Sequence, residues 1–324
     1  RSSVLVVSDL LYEKFQPLLA DAAFLKHVVI AGQGAAEIAA RDGHLVLDDL
    51  IQAASANLGV APTVADDAAF WLYSSGSTGA PKGAVHLQSD LVNSAVLYGE
   101  GVLGIREEDI VFSAAKLFFA YGLGNGMGFP LHVGATAVLM SGRPTPETVM
   151  AQLKQYNPTI YYGVPTLYGA MLADEACVPE NGSNALRACV SAGEALPEDI
   201  ATRWKARFGV DILDGLGSTE MLHIFLSNAP DDLRYGTSGK AVPGYDLKLV
   251  DEDNQPAGEG EIGELLVRGP TTATMYFNNR AKSTSTFQGD WTRTGDKYTR
   301  DADGYYVYSG RSDDMLKVGG IWVS

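Results

Sequence analysis

Between residues 4 and 208, short apolar runs alternate with segments whose apolar residues recur at helical spacing, and this alternation limits the fold more than any other feature of the chain. Strands are predicted over 4–7, 28–31, 159–162 and 187–192, and helices over 10–20, 47–58, 146–156, 165–173 and 197–208. Residues 110–140 read as strand, glycine-rich turn, apolar helix, strand. A strand covered by helices on both faces is apolar throughout and pairs in parallel through helical crossovers, so the expected class is α/β with parallel-sheet layers. Beyond Arg234 the helical spacing stops, and 247–250, 263–268 and 305–308 read as short strands between turns such as Asp301-Ala-Asp-Gly304. With 324 residues, a division into α/β subdomains over 1–233 and a β-rich subdomain over 234–312 is expected.

Set into this rhythm is Tyr73-Ser-Ser-Gly-Ser-Thr-Gly-Ala-Pro-Lys-Gly83, preceded by an apolar run over 69–73 that reads as a buried strand. Glycines let backbone N–H groups approach an anion, hydroxyls add neutral donors, and Lys82 brings a mobile positive charge to a polyphosphate. The Walker A spacing fails, because Gly83 and not Ser or Thr follows the lysine. A returning strand is expected over 84–87, and Ser89-Asp90 is read as the cap of the next helix, so the loop lies between strands. Alone, such a loop reads more readily as a Gly/Ser surface turn between two strands than as a phosphate site. A second strand and glycine-rich turn, Asp211-Ile-Leu-Asp-Gly-Leu-Gly-Ser-Thr-Glu220, ends on a carboxylate. In an α/β sheet, loops at the carboxyl ends of strands converge on one crevice, so both loops are expected to face one ligand. A carboxylate beside a polyphosphate implies a cation between them, which makes Glu220 a candidate Mg²⁺ ligand; its plainer alternative is a surface acid.

The formal net charge of −15, with Lys and Arg spread along the chain, argues against a nucleic-acid or anionic-membrane partner. Cys177 and Cys189 lack metal-ligand spacing and suggest a reducing compartment. No apolar run is long enough to span a bilayer, and the expected location is the cytoplasm. A homodimer is compatible with this reading.

Residues 74–83, Gly215-Leu-Gly-Ser-Thr-Glu220, Thr294-Gly-Asp296 and Gly310-Arg-Ser-Asp-Asp-Met-Leu-Lys317 resemble, in order, the core motifs of the adenylate-forming superfamily. That superfamily comprises acyl-CoA synthetases, peptide-synthetase adenylation domains and luciferases; residues 118–126 and Leu222-His-Ile224 look most like its benzoate-CoA ligase branch. The resemblance implies the large N-terminal domain of that fold and a two-step reaction. A carboxylate attacks ATP to give acyl-AMP and pyrophosphate, and the thiol of CoA then displaces AMP. It assigns Lys82, Thr219 and Glu220 to catalysis. Ser75, Gly76, Ser77, Thr78, Gly79 and Lys82 would surround the β- and γ-phosphates, with Thr219 at the α-phosphate and Mg²⁺ on Glu220. Asp296 and Arg311 would take the ribose, and Glu194, Asp214 and Gly215 would complete the ATP site. Asp313 falls on the family hinge, so 313–324 is expected to be that hinge and the start of a small C-terminal domain otherwise absent from the chain. The lysine which that domain contributes is absent with it, so full turnover by this chain is expected to be impaired.

By the same resemblance, Ala120, Tyr121, Phe129, Ala192, Gly193, Gly217, His223 and Ile224 would surround the acyl group. Residues 118–126 carry no charge. A buried ammonium would lack a counter-charge there, which disfavours an amino-acid substrate and favours an aromatic carboxylic acid. Tyr121 and His223 are the polar members, able to hydrogen-bond the acid or simply to pack. Open alternatives are a medium-chain or cinnamate-type acyl-CoA synthetase, and a nucleotide-binding module without turnover.

Overall fold

The computed structural model describes residues 2–75 and 80–311, with the backbone of 316–318 and 321–323. The chain divides into two compact units, Arg1–Pro62 and Thr63–Ser324. The first holds β1 (Val4–Ser8), α1 (Asp9–Phe15), β2 (His27–Ala31), α2 (Ala35–Asp42), β3 (Leu45–Val46) and α3 (Leu47–Ala53). Its strands pair in parallel in the order β1-β2-β3, over a core of Val7, Tyr12, Val28, Ile30 and Ala35. The helix expected over 10–20 tightens at Gln16–Asp21 into a 3₁₀ turn with Pro17 near its start, where the missing proline N–H breaks the α-helical ladder. The helix expected to reach 58 stops at Ala53. Just beyond, Asn57 N–H bonds the Ser55 hydroxyl (3.1 Å) and takes the backbone off the helical path.

The second unit opens with the hairpin β4 (Ala68–Ser74) and β5 (Lys82–Leu87), then α4 (Gln88–Ser94), β6 (Ile110–Ser113), α5 (Ala120–Leu123), α6 (Phe129–Val133) and β7 (Thr136–Leu139). It continues through α7 (Pro146–Tyr156), β8 (Ile160–Gly163), α8 (Pro165–Ala173), β9 (Ala188–Ala192), α9 (Glu198–Phe208), β10 (Ile212–Gly217), β11 (Ile224–Ser227) and β12 (Lys240–Ala241). The β-rich part holds β13 (Asp246–Val250), β14 (Gly263–Arg268), β15 (Met275–Tyr276), α10 (Arg280–Thr286), β16 (Phe287–Gln288), β17 (Trp291–Arg300) and β18 (Tyr306–Arg311). The backbone of β19 (Leu316–Val318) pairs antiparallel with that of β20 (Ile321–Val323).

The central sheet has the order β12-β11-β10-β9-β8-β6-β7. Its pairs from β10 to β7 are parallel, and β11 and β12 close it antiparallel. Alternate residues feed two cores. Val111, Tyr162, Val190 and Leu213 lie in one, and their neighbours Phe112, Tyr161, Cys189 and Ile212 in the other, as the two-residue period of a doubly covered sheet demands. The region after Arg234 is antiparallel: β13-β14-β17-β16 with β18 on β17. Its one departure from the expected all-strand character is α10.

Four expectations change. β4 is half open to solvent, with only Leu72 buried and Trp71 and Tyr73 44% and 59% exposed. The β4–β5 hairpin lies outside the central sheet, in a three-stranded antiparallel sheet ordered β15-β5-β4. The segment 118–126 is largely helical: α5 runs into a π-helical turn, Gly124–Gly128, and then α6. Asp90 lies inside α4 and closes its first turn by accepting the Leu87 N–H (3.0 Å). Among the described residues no helix is long and apolar enough to cross a membrane.

Candidate functional site

Backbone pairing brings the residues expected at a phosphate together. β4 and β5 put Ser74 opposite Lys82, and β15 puts Tyr276 opposite Ala84 on the other edge of β5. Glu220 lies in the turn between β10 and β11, and its carbonyl accepts the Ala273 N–H (2.8 Å). The three side chains meet. Lys82 Nζ is 2.9 Å from Glu220 Oε1 and donates to Tyr276 Oη at 2.9 Å. Tyr276 Oη donates to Glu220 Oε1 at 2.6 Å, and the ammonium lies 4.7 Å from the Tyr276 ring centroid. Burial alone would push the Glu220 carboxyl up, but the Lys82 charge and the Tyr276 hydrogen bond outweigh it and hold the group down at about 2. Glu220 is therefore ionised, beside a cation that can move away from it. Ser75 is exposed at the end of β4, while Gly76, Ser77, Thr78, Gly79 and Asp313 lie outside the described residues.

Tight backbone around the same turn fixes Glu220. Met221 N–H bonds the Ser218 hydroxyl (3.2 Å), Thr271 donates to the Met221 carbonyl (2.7 Å), and Leu222 is held at φ +65°. That conformation is unfavourable for a bulky residue and persists only where the surroundings over-determine it.

Asp296 and Arg311 face each other across β17 and β18, with Arg311 Nη1 3.0 Å from Asp296 Oδ1 and both 11% exposed. Arg311 also donates to the Thr294 carbonyl (3.2 Å). Gly295, at φ +75°, is required between them, because a Cβ there would lie 2.7 Å from Arg311 Nη2. Asp214 is buried in β10, where burial raises its pKa well above the usual range. It accepts from Ser238 Oγ (3.4 Å), which in turn lies 3.3 Å from Tyr298 Oη on β17. Gly215 follows Asp214 inside β10, and Glu194 is partly buried just beyond β9.

Of the residues expected around an acyl group, Ala192, Gly193 and Gly217 lie at the carboxyl ends of β9 and β10. Ala192 ends β9 with Gly193 next, Gly217 ends β10, and His223 and Ile224 lead into β11. Ala120 and Tyr121 begin α5, and Phe129 begins α6. The His223 ring lies 4.6 Å from Phe129, 5.6 Å from Tyr121 and 5.3 Å from Tyr98, centroid to centroid. Tyr121 Oη is within 3.2 Å of the Gly163 and Val190 carbonyls, so its single proton is committed to backbone and its ring face is what it offers. His223 Nε2 faces two acceptors, Asn125 Oδ1 (2.9 Å) and the Tyr121 carbonyl (3.3 Å). The proton is therefore assigned to Nε2, leaving Nδ1 a buried acceptor without a partner. Burial depresses the His223 pKa to about 3, so the ring is neutral and no acid–base catalyst at ordinary pH.

The sequence reading missed Tyr276, Asn125 and the buried pair His86–Asp90. Only the last left a local trace, a His and an Asp four residues apart straight after the lysine loop. Tyr276 reaches Lys82 across 194 residues, a contact no local pattern announces.

Residues 3–277 match the AMP-binding enzyme family. The chain is 60% identical over 322 residues to benzoate–CoA ligase of Thauera aromatica, covering 99% of this chain and 59% of that protein. The solved benzoate CoA ligase of Burkholderia xenovorans LB400 superposes with a TM-score of 0.89 at 48% identity over 98% of this chain and 62% of that one. The anthranilate CoA ligase AuaEII, solved in complex with anthranoyl-AMP, superposes with a TM-score of 0.93 at 45% identity over 100% of this chain and 61% of that one. The chain thus spans about 60% of the length of these relatives.

Proposed function

Because the chain belongs to the AMP-binding enzyme family, we propose that it carries the nucleotide- and acyl-binding part of an aryl acid–CoA ligase acting on benzoate or a substituted benzoate. In the first step a carboxylate oxygen attacks the α-phosphorus of ATP, the Pα–O bond to the β-phosphate breaks, and pyrophosphate leaves with the electron pair. In the second the CoA sulfur attacks the acyl carbonyl and AMP departs. The acid is already ionised at neutral pH, so the first step needs no general base, in keeping with a neutral His223.

The observation that carries this reading is the meeting of Lys82, Glu220 and Tyr276 in one contact. An ammonium paired with a carboxylate that stays ionised suits a site whose lysine turns to phosphate oxygens when ATP enters. Tyr276 then keeps a hydrogen bond on Glu220. No cluster of three or more His, Cys, Asp or Glu able to hold a metal exists among the described residues. One hard carboxylate is nonetheless what Mg²⁺ uses when substrate phosphates and water supply its other ligands, so Glu220 fits. When bound, the ion supplies neutralisation of phosphate charge. Asp296 and Arg311, an acceptor and a planar donor, suit the ribose hydroxyls. The aromatic cluster of Tyr121, Phe129 and His223, with the small residues Ala192, Gly193 and Gly217, suits an aryl ring, and the anthranilate relative, solved in complex with anthranoyl-AMP, supports an aryl acid as the substrate class. Two buried free cysteines fit a reducing compartment, and we place the reaction in the cytoplasm.

Exchange of labelled pyrophosphate into ATP, run with benzoate, cinnamate and hexanoate, tests the reading. Exchange highest with benzoate supports it. Preference for hexanoate or cinnamate moves the substrate class, and calorimetric binding of ATP and benzoate without any exchange leaves a binding module.

A further inference from the structure

Resting on the ligase reading above, we infer that His86 is a positioning residue for the Thr219–Glu220 turn. His86 and Asp90 are fully buried, 0% and 1% exposed. Asp90 Oδ2 is 2.8 Å from His86 Nδ1 and also accepts the Leu87 N–H, so the carboxylate is tied to the start of α4 and sets the plane of the ring. Phe70 stacks on that ring at 5.4 Å with planes 27° apart and blocks its rotation. The other nitrogen, Nε2, is 2.8 Å from the Thr219 carbonyl oxygen, 133 residues along the chain. A carbonyl has no hydrogen to give, so Nε2 is the donor there.

The consequence follows from peptide geometry. In a trans peptide the C=O and the following N–H point in opposite directions. With the Thr219 carbonyl turned to His86, the Glu220 N–H points away from it, so the bond sets the orientation of the peptide that leads into Glu220. His86 sits four residues beyond Lys82 on β5, so one strand carries both the phosphate lysine and the donor that aims the turn bearing its carboxylate partner. The hairpin and the turn of the central sheet belong to different sheets, and this hydrogen bond joins them beside the Lys82–Glu220 and Tyr276–Glu220 contacts. Loss of the bond frees the Glu220 carboxylate to drift from where Mg²⁺–ATP needs it.

Two substitutions separate positioning from mere filling of space. His86→Gln places an amide donor near the Nε2 position and keeps the bond to Thr219. His86→Asn reaches only as far as Nδ1, keeps the bond to Asp90 and drops the one to Thr219. Calorimetry with ATP and Mg²⁺, beside thermal melts of each variant, is the measurement. We expect His86→Asn to weaken Mg²⁺–ATP binding about tenfold and His86→Gln to stay within about threefold of the unsubstituted chain, while their melting temperatures fall by similar amounts. Equal ATP affinities for the two variants overturn the inference. If His86→Asn does not fold, Asp90→Ala takes its place: it removes the acceptor that holds His86 Nδ1 and so loosens the ring, and an unchanged ATP affinity then overturns the inference. Failure of the unsubstituted chain to bind Mg²⁺–ATP instead overturns the ligase reading itself.

Discussion

At the scale of single residues the site is a set of charges whose protonation is fixed by neighbours, and two of these make measurable claims. Glu220 titrates near 2 in the folded chain against an ordinary 4.5. A depressed carboxyl contributes stability that is fully present above about pH 4.5 and is lost as pH falls through 2. Lys82→Met strands a largely buried carboxylate, so we expect it to cost about 2 kcal/mol at pH 7 and to abolish Mg²⁺–ATP binding. In urea titrations at pH 7, 5 and 3.5, the stability difference from the unsubstituted chain should shrink toward the acid end; a difference independent of pH contradicts the pairing. His223 has the opposite chemistry. Its folded pKa near 3 lies below the ordinary 6.5, so between those values the unfolded chain binds the extra proton and stability falls as the solution is acidified, by up to about 1.4 kcal/mol per pH unit. His223→Phe should flatten that slope between pH 6.5 and 3. It should also reorder the ranking of hydroxy- and aminobenzoates against benzoate while leaving ATP affinity in place; weakened ATP binding with an unchanged ranking would remove His223 from the acyl slot.

Among the elements, the irregular π-helical turn Gly124–Gly128 between α5 and α6 does most to position the residues around His223, where the acyl group is proposed to sit. Such turns widen a helix locally and bring side chains to positions a regular helix does not reach. Here the turn carries Asn125 to His223 Nε2 and lets the backbone at Gly124 approach the imidazole. A Cβ on Gly124 would lie 2.4 Å from His223 Cδ2. Gly124→Ala is therefore expected to displace the ring, cost about 1–3 kcal/mol in denaturant unfolding, and weaken benzoate binding while Mg²⁺–ATP affinity stays within about threefold. Equal loss of both ligands would mean that the turn supports the whole site and not the acyl side alone. Within 118–126, Gly122, Gly124, Asn125 and Gly126 are buried. The helical path of the segment was not legible, because its glycines oppose helix in isolation and the conformation is imposed by packing of Tyr121, Gly124 and Asn125 on His223.

For the whole molecule, every site residue named lies within Thr63–Ser324, the second compact unit. Expressed alone, residues 63–324 are expected to bind Mg²⁺–ATP within about threefold of the full chain by calorimetry. Loss of binding with retained folding would assign the first unit a part in the site.

What the sequence by itself determined was local: the β-α alternation, the change of character after Arg234, the turn that carries Glu220, and helices such as α7 and α8, whose bounds match those expected. These depend on spacing, on proline at a first helical turn and on glycine where backbone must turn, all of which act within a few residues. Only the tertiary structure decided that β4 and β5, the strands on either side of the lysine loop, belong to a separate antiparallel sheet. It also decided that Tyr276 joins Lys82 to Glu220, that the Tyr121 proton is spent on backbone carbonyls, and that His223 is neutral with one bare nitrogen. The reason is that burial and hydrogen-bond partners, which set a side chain's charge and availability, come from residues far apart in the chain, and no local pattern encodes them.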